Sequence, residues 1–323
     1  MTSLKEMKER EYVPNKTYLR MIVRGVISFT YVALTNFKDM KKIASSTHKE
    51  PLYKRPKPSY TLPEYKEGMK YCKSDEKYLR PTLWCNCRHK KIIALANELG
   101  AYKKSDWEFA EAAFEWVKRN ITLEVINMDN VEDTIERGTG SCIHINSVVA
   151  ALCRCAGIKV RYKLFSAITS QATYDDMFDD MARRWYDALG YFSIEGDVEL
   201  FIDNKWVVAH AGPTPERQAA MNIPITKIGE ESIGVWFDVI PGTVFLSESV
   251  PYGFGFTLKM LTKVAGGTVD SMNANTLSLI KKGKKILNEK GGEKKYDEEI
   301  RKNFSPKFPK VSLTAHRKIV FEK

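Results

Sequence analysis

The sequence predicts an α+β domain, with helices packed against an antiparallel sheet and with N- and C-terminal extensions. Two observations carry most of that expectation. Helical patterns fill residues 90–156, and after Gly157 the chain changes to strand-like runs that end in a hairpin. A third observation fixes where function would sit: the glycine-bearing turn Gly138-Thr139-Gly140-Ser141 delivers Cys142 to the start of a helix.

Taken in order, Lys90–Leu99 reads as a helix stopped by Gly100. Ser105-Asp106-Trp107-Glu108 has the form of a capping box, with Ser105 as N-cap and Glu108 three residues on. The helix it opens sets Trp107, Ala110, Phe114 and Val117 on one apolar face. The helix over 142–156 turns Ile145, Val148, Val149 and Leu152 inward and closes at Gly157. Val160–Phe165 reads as a strand. Val198–Ile202 and Lys205–Ala209 form a hairpin about Asp203-Asn204. Between the Val160–Phe165 strand and this hairpin, Asp175, Asp176, Asp179 and Asp180 cluster in a short helix closed by Gly190, read as a solvated acidic face rather than a divalent-metal site. Apolar runs follow at Val235–Ile240 and Thr243–Leu246, then a basic helix over Asn275–Lys290, a Gly291-Gly292 break and a lysine-rich tail. The expected organisation is a basic extension and linker over 1–78, a compact domain over 79–216, and a C-terminal extension over 217–323.

The 323 residues are 43% hydrophobic, enough for one sizeable core or two smaller ones. The net charge of +11 is placed unevenly. Residues 1–60 carry 13 Lys/Arg against 5 Asp/Glu, residues 281–323 carry 14 against 6, and the middle is mildly acidic with 24 against 29. The basic ends read as solubilising surfaces or as contacts for an acidic protein or assembly partner. No nucleic-acid motif accompanies them. The N-terminus shows no apolar signal segment, so a cytoplasmic protein, or one built into a particle assembled in the cytoplasm, is expected. Met21–Phe37 is interrupted by Arg24, so it reads as an amphipathic helix docked on the core and not as a transmembrane segment. Linker residues Pro51–Pro63 should be extended.

Cysteines stand at 72, 85, 87, 142, 153 and 155. Cys85-Asn86-Cys87 with Cys72 and His89 nearby raises zinc, but C-x-C is not the C-x2-C spacing of common zinc sites. Buried free thiols are the favoured reading, and no metal or organic cofactor is expected. Cys153 and Cys155 read as small core fillers. Cys142 differs because unpaired N–H groups and the positive end of the helix dipole should stabilise its thiolate and lower its pKa, which is how a cysteine nucleophile is made.

Several of these features together resemble the transglutaminase-like cysteine peptidase superfamily. They are the helix ending in Val117-Lys118-Arg119-Asn120-Ile121, the Gly138–Cys142 turn, and the helix ending in Leu152-Cys153-Arg154-Cys155-Ala156-Gly157-Ile158. The strand Val160-Arg161-Tyr162 and the hairpin through Leu200-Phe201-Ile202-Asp203-Asn204-Lys205-Trp206 complete the series. Leu83-Trp84-Cys85-Asn86-Cys87 is similar to the segment before the first helix in archaeal proteins of the pseudomurein endoisopeptidase type. The resemblance spans roughly residues 83–214 and implies a papain-like core with a Cys-His-Asp triad. Aligning the hairpin places Glu195 where the family has histidine and His210 where it has aspartate, with Asp197 as a second acid able to pair with His210 across the strands. The order of the base and the acid is thus exchanged, which the chemistry tolerates if nucleophile, base and orienter meet.

What the resemblance implies is a peptidase or amidase that cleaves, or transfers, an amide or isopeptide bond of a peptide substrate. Cys142 would be the nucleophile, His210 the base, and Glu195 or Asp197 the orienter of its ring. The alternative is a catalytically inactive domain kept as a structural or interaction protein in a larger assembly. His144 is set aside as base, because two residues along a helix turn side chains about 200° apart.

Overall fold

The computed structural model describes residues 4–11, 16, 19, 23, 34, 50–180, 182, 183, 186, 193–240, 242–251 and 253–309. A short helix α1 (Leu4–Glu9) precedes a strap without helix or strand over residues 51–72, and the helices α2 (Lys90–Leu99) and α3 (Asp106–Asn120) follow. The capping box forms as the sequence predicts: Ser105 Oγ accepts from the Glu108 N–H, and Glu108 Oε2 accepts from the Ser105 N–H. Two residues of β1 (Thr122–Leu123) pair in parallel with β2 (Thr139–Gly140) around α4 (Val131–Arg137). Gly138 closes α4 at φ +72°, a left-handed conformation that costs a glycine little.

Next comes α5 (Cys142–Cys155), the central helix, every residue of which from Ile143 to Cys155 is buried. A helix buried all round must satisfy its polar side chains internally. Arg154, for instance, donates to the carbonyls of Arg80, Val160 and Glu248. The strands β3 (Val160–Thr169), β4 (Ser193–Ile202) and β5 (Lys205–Ala209) build an antiparallel sheet on which α5 packs. Asp203 and Asn204 both take positive φ, as a two-residue hairpin turn requires.

Two strands exceed their sequence outlines, and one helix falls short of its own. β3 runs on to Thr169, and β4 starts at Ser193 rather than Val198, bringing Glu195, Gly196 and Asp197 into the ladder opposite Phe165, Leu164 and Lys163. The acidic segment forms α6 (Gln171–Asp176), and Asp179 and Asp180 lie beyond it. Gly190 lies outside the described residues, as do most of the Met21–Phe37 segment and the tail from 310 onward.

Residue 216, after which the sequence suggests a division, falls inside α7 (Pro215–Ala220). β6 (Phe237–Val239) and β7 (Phe245–Ser247) both pair with β3, so residues 217–247 complete the sheet rather than extend from it. The remaining helices are α8 (Gly253–Val264), α9 (Gly266–Glu289) and α10 (Glu293–Asn303). α7 presses against α9 so closely that a Cβ on Gly283 would stand 1.6 Å from the Glu216 carbonyl oxygen. Glycine is required there by contact, not by backbone angle.

The linker carries no helix or strand, and it is tied down by side-chain contacts. The Leu52 and Tyr53 N–H groups donate to Asp270 on α9, Arg55 makes a bidentate pair with Glu124, and the Tyr60 hydroxyl donates to the Ile135 carbonyl. No helix among the described residues is long and apolar enough to cross a membrane.

Candidate active site

The site lies where the N-terminus of α5 meets β4 and the segment after β5. Asn146 joins these three pieces. Its Nδ2 donates to the Gly196 carbonyl at 2.6 Å, and its Oδ1 accepts from the Ala211 N–H at 3.4 Å. Asn146 is four residues from Cys142 and so on the same helix face. The clamp therefore registers Cys142 against the residues beside Gly196 and Ala211, which are Glu195, Asp197 and His210. Gly196 has its own constraint, since a Cβ there would lie 2.4 Å from Leu164 Cδ2 and 3.0 Å from the Lys163 carbonyl oxygen.

Of the two acids flanking Gly196, the structure brings Asp197 to His210 and Glu195 to Cys142. His210 Nδ1 lies 2.7 Å from Asp197 Oδ1, with Asp197 0% and His210 2% exposed. Although the distance is short, the N–H direction departs from an aligned hydrogen bond. The other Asp197 oxygen, Oδ2, accepts from the Ser232 hydroxyl at 2.7 Å. The pair extends the ladder in which Val198 faces Ala209. Phe237 meets the His210 ring edge-on at 5.7 Å between centroids, and Trp236 lies 6.4 Å away.

Cys142 is partly exposed. Its thiol is pushed well above the ordinary cysteine range, first by burial and then by the Glu195 carboxylate, which it hydrogen-bonds. The Ile143 N–H and the charge of Arg217 act in the opposite direction but do not prevail. The backbone donor expected at a helix N-terminus is thus present, yet the lowered thiol pKa expected from the sequence is reversed. The causes are burial, which disfavours the charged form, and then a neighbouring anion: thiolate and carboxylate repel, so the proton stays on sulfur. The resting residue is a protonated thiol.

His144 turns away from this site. Its Nδ1 lies 2.7 Å from the Ser141 hydroxyl, and its Nε2 lies 3.3 Å from Asp129 Oδ1, which also pairs with Arg137. It is a buried cap partner. His89 likewise caps α2, accepting from the Lys91 N–H. Cys85 and Cys87 are buried, and burial pushes their thiols up. Among the described residues, no group of three or more His, Cys, Asp and Glu is arranged to hold a metal ion. The acids near α6 face solvent or basic neighbours: Asp175 accepts from Gln171, Asp176 lies 3.9 Å from Lys282, and Asp180 lies 3.8 Å from Arg183.

Sequence reasoning missed Asn146, Arg217, Ser232 and Trp236. Asn146 was within reach, because it lies one helical turn from Cys142 in a segment that is otherwise apolar. The other three stand after residue 214, where no local pattern ties them to Cys142.

Residues 93–210, from α2 to His210, match the family model of the Transglutaminase-like superfamily. No curated protein matches. A solved structure from Cytophaga hutchinsonii, assigned provisionally as a cysteine protease, is 19% identical; the match covers 42% of this chain and 40% of that one, with a TM-score of 0.32. That likeness is too distant to say anything about activity. Helices packed on an antiparallel sheet, with residues 93–210 matching that model, give the core an α+β fold similar to the transglutaminase-like, papain-like one.

Proposed function

We propose that the protein is a cysteine peptidase or amidase that cleaves an amide or isopeptide bond through Cys142, with His210 as base and Asp197 as its orienter. The observation that carries this reading is the buried Asp197–His210 contact at 2.7 Å, anchored by Ser232 and registered to the Cys142 helix through Asn146. Asp197 would keep the proton on Nδ1, leaving Nε2 to take the Cys142 proton. Because the thiol is protonated at rest, proton removal would accompany attack rather than precede it. Sulfur would bond to the carbonyl carbon, and the Ile143 N–H with its neighbours at the helix N-terminus would stabilise the oxyanion. His210 would return the proton to the leaving amine, and water would release the acyl group from sulfur. An amine in place of that water would give acyl transfer.

An isopeptide in a cell-wall peptide is the finer expectation, supported by the similarity of residues 83–87 to the entry segment of archaeal proteins of the pseudomurein endoisopeptidase type. A second reading has a specific observation behind it. Glu195 occupies the place next to the thiol where the family has histidine, and it holds that thiol in its protonated form. In that reading the domain is a non-catalytic structural or interaction protein whose basic ends contact an acidic partner.

The test is amine release from peptides carrying α-amide and lysine-ε-isopeptide linkages, together with mass detection of an acyl adduct on Cys142 in hydroxylamine-free buffer. Turnover lost in both Cys142→Ala and His210→Ala supports the enzyme. An adduct-free protein, with release unchanged in Cys142→Ala, contradicts it.

A further inference from the structure

Arg217, beyond the matched residues 93–210, is buried at 7% exposure on α7. Its guanidinium lies 5.7 Å above the Trp236 ring, the same tryptophan that stands 6.4 Å from His210. One terminal nitrogen donates to the Met177 sulfur at 3.5 Å, a weak acceptor, and Nε has no hydrogen-bond partner. A buried guanidinium with a spare donor is costly unless an anion meets it, because removal from water is repaid only by pairing. It acts electrostatically on the Glu195 carboxylate and on the Cys142 sulfur, so its field reaches the reacting atom. Burial lowers its pKa to about 10, which leaves it a cation at neutral pH.

We infer that Arg217 is a specificity-determining residue that receives a carboxylate of the substrate, so that the acyl donor is an acidic peptide segment with a free carboxylate close to the scissile bond. The inference rests on the reading of Cys142 as the nucleophile. A planar guanidinium beside an indole presents its donors as a fork, which matches a carboxylate better than an ammonium would. Glu195 repels an incoming anion from the strand side, so the carboxylate seats on the α7 side of the thiol. Gly283 sets the position of α7, and with it the depth of the guanidinium.

The test pairs two alkylating reagents that differ by one charge, iodoacetate and iodoacetamide, on the full chain, with modification of Cys142 read by mass spectrometry. In the wild type, the iodoacetate-to-iodoacetamide rate ratio should exceed that of a short cysteine peptide in the same buffer by about tenfold, equivalent to about 1.4 kcal/mol. Arg217→Met should bring the ratio down to the peptide's value, and Arg217→Lys should retain part of it. A wild-type ratio no higher than the peptide's overturns the assignment and needs no variant to fold. Modification by both reagents at the peptide's ratio leaves Cys142 a nucleophile without a carboxylate site. No modification by either reagent overturns the nucleophile reading, and this inference with it.

Discussion

Glu195→Gln isolates the effect that reverses the expected chemistry of Cys142. Glutamine keeps the size and a hydrogen-bonding group but removes the anion beside the sulfur. Two unit charges about 4 Å apart repel by about 1 kcal/mol in water and about 4 kcal/mol at an effective dielectric constant of 20. Cys142 is partly exposed, so the two limits bracket it. Relief of about 2 kcal/mol raises the thiolate fraction about 30-fold at a pH where the thiol is mostly protonated. A less basic thiolate is also a weaker nucleophile, with a Brønsted slope of about 0.5, so the net rate gain is about fivefold. The sign follows from linkage: lowering the thiol pKa moves the alkylation profile toward lower pH. The assay is iodoacetamide modification of Cys142 between pH 6 and 9, with quantification by mass. An unchanged rate would show that Glu195 does not control the thiol. A slower rate would make Glu195 the proton acceptor and refute the reasoning.

Other perturbations reach different parts of the account. Asn146→Leu removes two hydrogen bonds and leaves the Gly196 carbonyl and the Ala211 N–H unpaired, so urea unfolding should show a loss of about 2–4 kcal/mol. The same variant should blunt Cys142 reactivity, whereas a change under about 0.5 kcal/mol would mean that the clamp is not structural. Gly283→Ala gains up to about 1 kcal/mol in helix propensity, but the Cβ would overlap the Glu216 carbonyl, so a net loss of about 1–3 kcal/mol is expected. A higher melting temperature would show that α7 and α9 can separate freely. Burial raises the pKa of Glu124 and Asp129, but Arg55 with Thr139, and His144 with Arg137, outweigh it and hold both carboxyls below their ordinary values. Depressed carboxylates stabilise the fold above their unfolded pKa, and that stability is lost as pH falls through the folded one. The melting temperature should therefore drop below roughly pH 4. A flat profile to pH 3 would contradict the assignment.

What the sequence made legible was local or close in chain order. The Ser105 cap, the Gly138 turn, the Asp203-Asn204 hairpin and the landing of Cys142 on a helix start each depend on a few adjacent residues whose conformational preferences are intrinsic. The approach of Asp197 to His210 was also within reach, because the two-residue turn dictates which residues face each other. The N-terminal half of β4 was hidden, since Glu195, Gly196 and Asp197 lack the alternation of a strand and are held there by the partner strand and by Asn146. Ser232, Arg217 and Trp236 were hidden for another reason. They reach the site through strands and helices after residue 214, and no spacing rule links them to Cys142. The reversal of the thiol pKa followed from the same limit: the helix terminus was visible, but the side chain against the sulfur was a tertiary fact.

The central claim is that His210, oriented by Asp197, takes the proton of Cys142. Its most direct test is the rate of Cys142 alkylation by iodoacetamide at neutral pH in wild type, His210→Ala and Asp197→Asn. The rate should fall at least about tenfold in His210→Ala and less in Asp197→Asn, and the lower limb of the wild-type pH profile should vanish with the imidazole. Equal rates and superimposable profiles in the three proteins would contradict it and leave the domain as a scaffold.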